Sequence, residues 1–573
     1  MAAAQPSRPD GDAPTRVFVG IDFGTTFSGL SYIVGNVAGT EPTTLSWSNE
    51  CRFKFPSKVT SSGGNTLCGV MIPEGEKSMQ WFKLAILHRD DLDREIIQSP
   101  LYQQYEHLRT ELRLRADEVT SHLFRHMWDR FLSKFLPSHR HGAFDYFLTV
   151  AVPAGWPRYA INSIRKAVER SDILNDLRVP CRFVAEPEAT IVGVFDAPAL
   201  VLGPGEHRLS HLSLQQGDLI QVPDCGGGTV DLGVYQVSGT EPLVMNESLP
   251  AICKLNGALK LDDRFMALLE SKVQDVPTHA RFNSRKEEYF RNFSENFWFS
   301  EMKINFGQNQ AVWTYEVPSA WLPAAAKRSH LQLRFTSEEI TTVFEPVADI
   351  AQLVADQIRE IHSKMGKAPK YVLVAGGFGL NHYLRRVVHE RVDSVANALG
   401  CRIQTLAYEM AFGLPAVSKG AARNCAVRFN PESPLSASAG QVDGHVVTAS
   451  YGIHDPSQPT PSWFVREGQT MSTRNRPRLN LDPSVFTVTE ESDSTAVLEL
   501  VVYAQQDATP SRPCFNVKWK SGVNVREFSP GSPGIQMEPV FDGFSMSIEL
   551  FYQNVRQGED RVAVEYEGDD SDD

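Results

Sequence analysis

Two stretches of this 573-residue chain carry residue types that could hold a phosphate chain: VGIDFGTTFSGLSY (Val19 to Tyr32) and VPDCGGGTVDLGVY (Val222 to Tyr235). In each, an apolar strand runs into an aspartate, Asp22 or Asp224. A glycine follows, Gly24 in the first copy and Gly226, Gly227 and Gly228 in the second, then hydroxyls at Thr25 and Thr26 or at Thr229, then a second strand. Glycine leaves room for backbone N–H groups to approach phosphate oxygens, and threonine adds donors. An aspartate at the strand end can hold a hydrated cation. A single glycine turn after a strand is most often a tight hairpin, and either aspartate could simply cap its turn. Repetition changes that reading, because an internal duplication implies two lobes facing one polyphosphate.

Such turns need sheets behind them, and the rest of the chain supplies the pattern of an α/β protein with mixed sheets. Long amphipathic stretches predict helices over Met79–Leu87, Arg109–Leu136, Arg158–Ser171, Pro187–Phe195, Ser337–Lys364, Asn381–Leu399 and Gly413–Ala422. Buried strands are expected in FDYFLTVAVPAGW, at Arg182–Val184 and in KYVLVAGGFG. Asp196–Asp218, rich in Pro, Gly and Ser, reads as a surface connection. The aromatic run Tyr289–Phe306 reads as core packing, with base stacking the less common alternative. From about Asn424 onward, short alternating runs between Pro, Ser, Gly and Asp clusters predict a β-rich module.

A hydrophobic content of 42% with 22% charged residues is that of a globular protein too long for one core. The net charge of −13 argues against general nucleic-acid binding and against an anionic membrane surface. No apolar run approaches a membrane span, and MAAAQPSRPDGDAPT lacks the pattern of a signal peptide. Eight scattered cysteines form no C-x-x-C and no even framework, which fits buried thiols in a reducing compartment. The default location is cytoplasmic, with the nucleus as the alternative. Neither the cysteines nor the 15 histidines fall at zinc-ligand spacing.

Five elements in order, DFGTTFSG, VAVPAGW with VAEPEAT, DCGGGTVDLG, NGALKLDDRF and VLVAGGFG, resemble the actin-like ATPase superfamily. The set looks most like the 70-kDa heat-shock protein family, in a divergent short form without a recognisable helical lid. The resemblance covers roughly residues 16–425. It implies two ribonuclease-H-like lobes closing over Mg²⁺ with ATP or ADP. A disordered leader (1–15) would precede lobe I (16–200) and lobe II (201–425), whose terminal helices return to lobe I. The β-rich module (426–565) and an acidic tail (566–573) would follow.

By resemblance, Asp22 and Asp224 hold the cation, Gly24, Thr25, Thr26, Gly226, Gly227, Gly228 and Thr229 surround the phosphates, and Gly257 is a further nucleotide-binding residue. Asp231 matches a carboxylate near the attacking water. Glu186 matches an interlobe glutamate, although an acidic residue in a first helical turn also complements the helix dipole. Gly376 and Gly377 match an adenosine-side turn. Lys303 matches an adenosine-side lysine or is a solvated helix charge. Lys83 matches a lysine near the transferred phosphate or snorkels from an apolar helix. Phe378, Gly379 and Leu380 stand where the family has a hydroxyl and an arginine, and Ile304 where a base-stacking arginine is common. The phosphate side is therefore better preserved than the base side. The implied activity is that of a chaperone-like ATPase whose partners are client polypeptides and co-chaperones. A non-catalytic nucleotide-sensing scaffold and a small-molecule kinase are the alternatives.

Overall fold

The computed structural model describes residues 14–563 apart from short internal segments, the longest being 522–534. Residues 1–13 of the expected leader and the acidic tail lie outside the described residues. The chain is a mixed α/β protein with several sheets.

Strand β1 (Thr15–Asp22) is buried from Val17 to Asp22 because both of its faces are covered. It pairs antiparallel with β2 (Phe27–Val34), and β2 pairs with the short β3 (Thr43–Thr44). On its other edge β1 pairs parallel with β4 (Phe144–Val152), and β4 with β5 (Arg182–Ala185). The spatial order is therefore β3-β2-β1-β4-β5.

A second sheet repeats that plan. Strand β6 (Leu219–Cys225) pairs antiparallel with β7 (Val230–Thr240), and β7 with β8 (Leu243–Lys254). On its other edge β6 pairs parallel with β9 (Tyr371–Leu373), and β9 with β10 (Gln404–Tyr408). The inner order β8-β7-β6-β9-β10 thus matches the first sheet strand for strand, and the duplicated hairpins β1–β2 and β6–β7 occupy equivalent places.

Two helices tie the sheets together. Helix α1 (Glu186–Val194) leaves β5 of the first sheet and packs on β6 and β7 of the second. Helix α3 (Ala416–Phe429) follows the second sheet and packs on β1, β2 and β4 of the first. The two helices cross so closely that a Cβ on Gly420 would lie 1.6 Å from the Ala189 carbonyl oxygen, and one on Gly193 2.0 Å from that of Ala416. Between β8 and β9, α2 (Leu259–Val273) opens a helical layer whose core includes Tyr289, Phe290, Phe293, Trp298, Met302 and Phe306. The aromatic run is thus core packing.

The C-terminal part begins by extending the second sheet, since β11 (Gln441–Val446) pairs parallel with β8. Two antiparallel sheets follow and share one core that includes Tyr451, Leu500, Val502, Ile535, Met537 and Ile548. No described helix is long and apolar enough to cross a membrane.

Several expected elements differ. Met79–Leu87 is not a helix: Met79 bridges to Val59, Trp81 adopts φ 62°, and only Leu84–Ile86 forms a 3-10 turn. The Arg109–Leu136 stretch is two helices, Pro100–Leu112 and Ala116–Ser138, broken where Arg113 turns left-handed. Ser337–Lys364 breaks at Pro346, whose ring cannot continue the preceding helix. The Asp196–Asp218 connection contributes strands Leu200–Leu202 and His207–Leu209 to the edge of the second sheet. The last expected helix runs later, as α3.

Candidate functional site

The two duplicated turns meet. A Cβ on Gly227 would lie 2.6 Å from Thr26 Oγ1, and one on Gly228 2.7 Å from Thr25 Oγ1. Only glycine lets the second turn come this near the first. The backbone amides of Thr25, Thr26, Gly227 and Gly228 donate to none of the described residues, so four N–H groups at the junction are available to an anion.

Each turn is braced differently. Ser57 Oγ donates to the Gly24 carbonyl (2.7 Å) and lies 2.9 Å from Ser28 Oγ, which accepts from the Gly24 amide (3.2 Å). The second turn is held from below by backbone. The amides of Gly257, Ala258 and Leu259 donate to the carbonyls of Gly228, Gly226 and Gly227. Gly257 is there for closeness, since a Cβ on it would stand 2.3 Å from the Gly227 oxygen.

Carboxylates ring the contact. Asp22, Asp224, Asp231 and Glu186 are all buried. Asp22 forms an ion pair with Lys54. Glu186 opens α1 and accepts from Lys83 Nζ at 2.6 Å. Lys83 is itself only 2% exposed, and its ammonium sits over the Phe23 and Trp156 rings, 5.4 and 5.6 Å from their centroids. Two residues before it, Trp81 sits at φ 62°, a conformation that costs about 1–3 kcal/mol and that the surrounding packing must offset. Lys83 therefore belongs to the site and does not snorkel.

Asp224 accepts from Thr190 Oγ1 at 2.7 Å and has no ammonium of its own among the described residues. Burial, with Glu186 and Asp22 nearby, pushes it up to about 7. Asp231 is fully buried, and neither of its oxygens completes a hydrogen bond of ordinary geometry. Thr229 and Cys253 are its near polar neighbours. Burial, then Glu186, push Asp231 well above the usual carboxylate range. Burial also raises Glu186, with Lys83 pulling the other way.

Two more carboxylates than ammoniums thus share one buried junction. An unpaired carboxylate is costly in such surroundings unless it is protonated or meets a cation. Among the described residues no three His, Cys, Asp or Glu side chains form a metal-binding group by themselves. A divalent ion between Asp22 and Asp224 would take its remaining ligands from water and phosphate oxygens, as Mg²⁺ commonly does.

Gly376, Gly377 and Lys303, expected on an adenosine side, adjoin this junction. Gly376 adopts φ 81°, and a Cβ on it would lie 2.4 Å from Asp224 Oδ1 and 2.3 Å from the Cys225 oxygen. Nothing lies within 4 Å of a Cβ placed on Gly377. The turn continues to Asn381, whose Nδ2 donates to the Lys303 carbonyl at 2.8 Å. The Lys303 ammonium is held by Asp262 Oδ1 at 2.6 Å, so it is neither a solvated surface charge nor a free one. Ile304 and Phe299 beside it are exposed apolar side chains. A cavity of about 320 Å³ opens next to Gly228, walled by Trp81, Ile96, Ser99, Gly257 and Leu259.

Lys54, Thr190 and Cys253 are site residues with no place in the sequence-level set. Thr190 was readable, because it follows Glu186 by four residues on one helix and so shares its face. Lys54 and Cys253 come from elsewhere in the chain, Lys54 from just before the Phe55–Ser28 strand pair and Cys253 from opposite Asp231 across β7 and β8. No model of a known protein family matches this chain, and no curated protein matches it.

Proposed function

We propose that this protein binds a magnesium-complexed nucleoside triphosphate between the two turns and hydrolyses it, as a cytoplasmic chaperone-like ATPase similar to the 70-kDa heat-shock family. In this reading the two matching sheets are the ribonuclease-H-like lobes of an actin-like ATPase, and the carbonyl-braced turns are its paired phosphate loops. The observation that carries it is the meeting of Thr25 and Thr26 with Gly227 and Gly228 inside a ring of four buried carboxylates and two ammoniums.

The unspent amides and the threonine hydroxyls bind the terminal phosphates. Asp22 and Asp224 hold the cation, which when bound supplies charge relief to the transferring phosphoryl group. Asp231, without a hydrogen-bond partner of its own, orients the attacking water. Glu186 takes part in that orientation while Lys83 fixes its carboxylate and faces the developing charge. Client polypeptides and co-chaperones would engage the C-terminal sheets.

A nucleotide-sensing scaffold without turnover is the second reading. It is favoured by the apolar Ile304 and Phe299 and by Leu380 on the base side. A small-molecule kinase is the third, favoured by the cavity beside Gly228.

Isothermal titration with ATP and Mg²⁺, paired with phosphate release by the wild type and Asp224→Ala, separates the three. Release that depends on Asp224 supports the ATPase. Binding without release supports the scaffold, and release only with an added metabolite supports the kinase. No binding at all defeats the proposal.

A further inference from the structure

A second buried polar cluster lies two residues along α1 from Glu186, where α1, α3, β11 and the C-terminal sheets meet. Glu188 is 3% exposed and accepts from Asn424 Nδ2 at 2.8 Å. The Arg428 guanidinium stands 3.8 Å from Glu188 Oε1 and is hydrogen-bonded to His445 Nε2 at 2.8 Å. A guanidinium can only donate, so Nε2 is the acceptor and the imidazole proton resides on Nδ1. Nδ1 lies 3.7 Å from Glu188 Oε2. The histidine is held neutral, since burial and then Arg428 push it down to about 3.

The C-terminal sheets send one turn into this cluster. Asp542 Oδ1 accepts from the Phe544 and Ser545 amides at 3.0 and 2.9 Å, which folds the turn on itself. Gly543, at φ 99°, passes over the His445 ring, and a Cβ there would lie 3.3 Å from Nδ1. Phe544 packs against the core of the first sheet. Burial works against the charge of Asp542, but the Ser545 amide and Arg428 hold its carboxyl below the usual range. Arg428 thus meets Glu188 on the site helix directly, and it meets the C-terminal turn through His445, over whose ring Gly543 passes.

We infer that Glu188 and the Asp542–Ser545 turn position Glu186: the C-terminal sheets fix helix α1 through Arg428 and His445, and so support a site that they do not line. The inference rests on the proposed role of Glu186 at the phosphates. Glu188 and Asp542 are positioning residues, because each acts through α1. The carbonyl-to-Cβ closeness of α1 and α3 leaves little slack, so a shift of α1 by a few tenths of an ångström moves Glu186 and Thr190 together.

The test uses the full chain in two arms. Without nucleotide, hydrogen exchange of residues 186–194 is compared in wild type, Asp542→Asn, Glu188→Gln and the double variant. Exchange in α1 should rise about tenfold in each single variant and no further in the double, because both act through the Arg428–His445 pair. In the second arm, kcat for phosphate release from magnesium ATP should fall at least about fivefold in each single variant with KM within about twofold. His445→Gln, which leaves the C-terminal turn intact, should give the same signature should Asp542→Asn fail to fold. Unchanged α1 exchange in folded Asp542→Asn or His445→Gln overturns the inference, as do effects that multiply in the double variant. A wild type that releases no phosphate defeats only the ATPase reading, since the exchange arm needs no nucleotide.

Discussion

Asp22 and Asp224 end equivalent strands of two sheets with the same order, yet their surroundings differ. Asp22 meets Lys54, while Asp224 has the Thr190 hydroxyl and lies opposite Asp231, whose oxygens complete no hydrogen bond. The first turn is braced by serine hydroxyls and the second by backbone amides. A duplicated hairpin has thus kept its shape in both halves and its charge balance in only one. The half with surplus buried carboxylate is the half that gains most from a cation, so this asymmetry marks where an ion would be drawn.

The sharpest way to break the comparison is to remove the uncompensated carboxylate. Asp224→Asn should lower magnesium-ATP-dependent phosphate release by about 100-fold or more, read by a phosphate assay on the folded variant. Activity within a few-fold of wild type would mean that the second hairpin does not hold the ion. Gly376→Ala tests the same hairpin from its other side. Alanine there must adopt φ 81° and place its Cβ 2.3 Å from the Cys225 oxygen, so Asp224 must move. Nucleotide affinity should fall by about 30-fold, measured by titration calorimetry, with the far-ultraviolet dichroism retained.

Proton linkage gives a smaller effect with a definite sign. Burial first, then the neighbouring carboxylates, raise Asp224 to about 7 and raise Asp231 and Glu186 in the same direction. Such groups bind more protons folded than unfolded. The ligand-free protein therefore loses stability as pH rises from the ordinary carboxylate range through these raised values. A cation replaces the missing protons, so magnesium ATP should raise the melting temperature more at about pH 8 than at about pH 6, by several degrees. Equal shifts in scanning fluorimetry would show that the surplus charge is met some other way.

How much of this was legible in the sequence follows from how local each feature is. The hairpins are readable because strand, aspartate, glycine and threonine are contiguous, and Glu186 because a glutamate before proline opens a helix. The break before Pro346 was also written in the chain, since proline has no N–H to continue the ladder of the preceding helix and is suited to the first turn of the next. Trp81 is different: no propensity places a tryptophan at positive φ, and the conformation is set by packing from residues distant in the chain. Pairing of β11 with β8 and the Arg428 cluster depend on residues far apart in the chain, where periodicity is silent.

Lys54 is the most instructive omission, because it creates the asymmetry and has no motif around it. Removing it should make the first hairpin resemble the second. In Lys54→Met, Asp22 loses its ammonium in a largely buried pair, the two side chains being 19% and 6% exposed. The carboxylate left behind is buried and unpaired, which is costly, so affinity for Mg²⁺ without nucleotide should rise about tenfold. The ligand-free melting temperature should fall at the same time. Magnesium titration followed by thermal shift reads both changes. A variant that binds Mg²⁺ no better would place the difference between the two halves in their bracing and not in their charge.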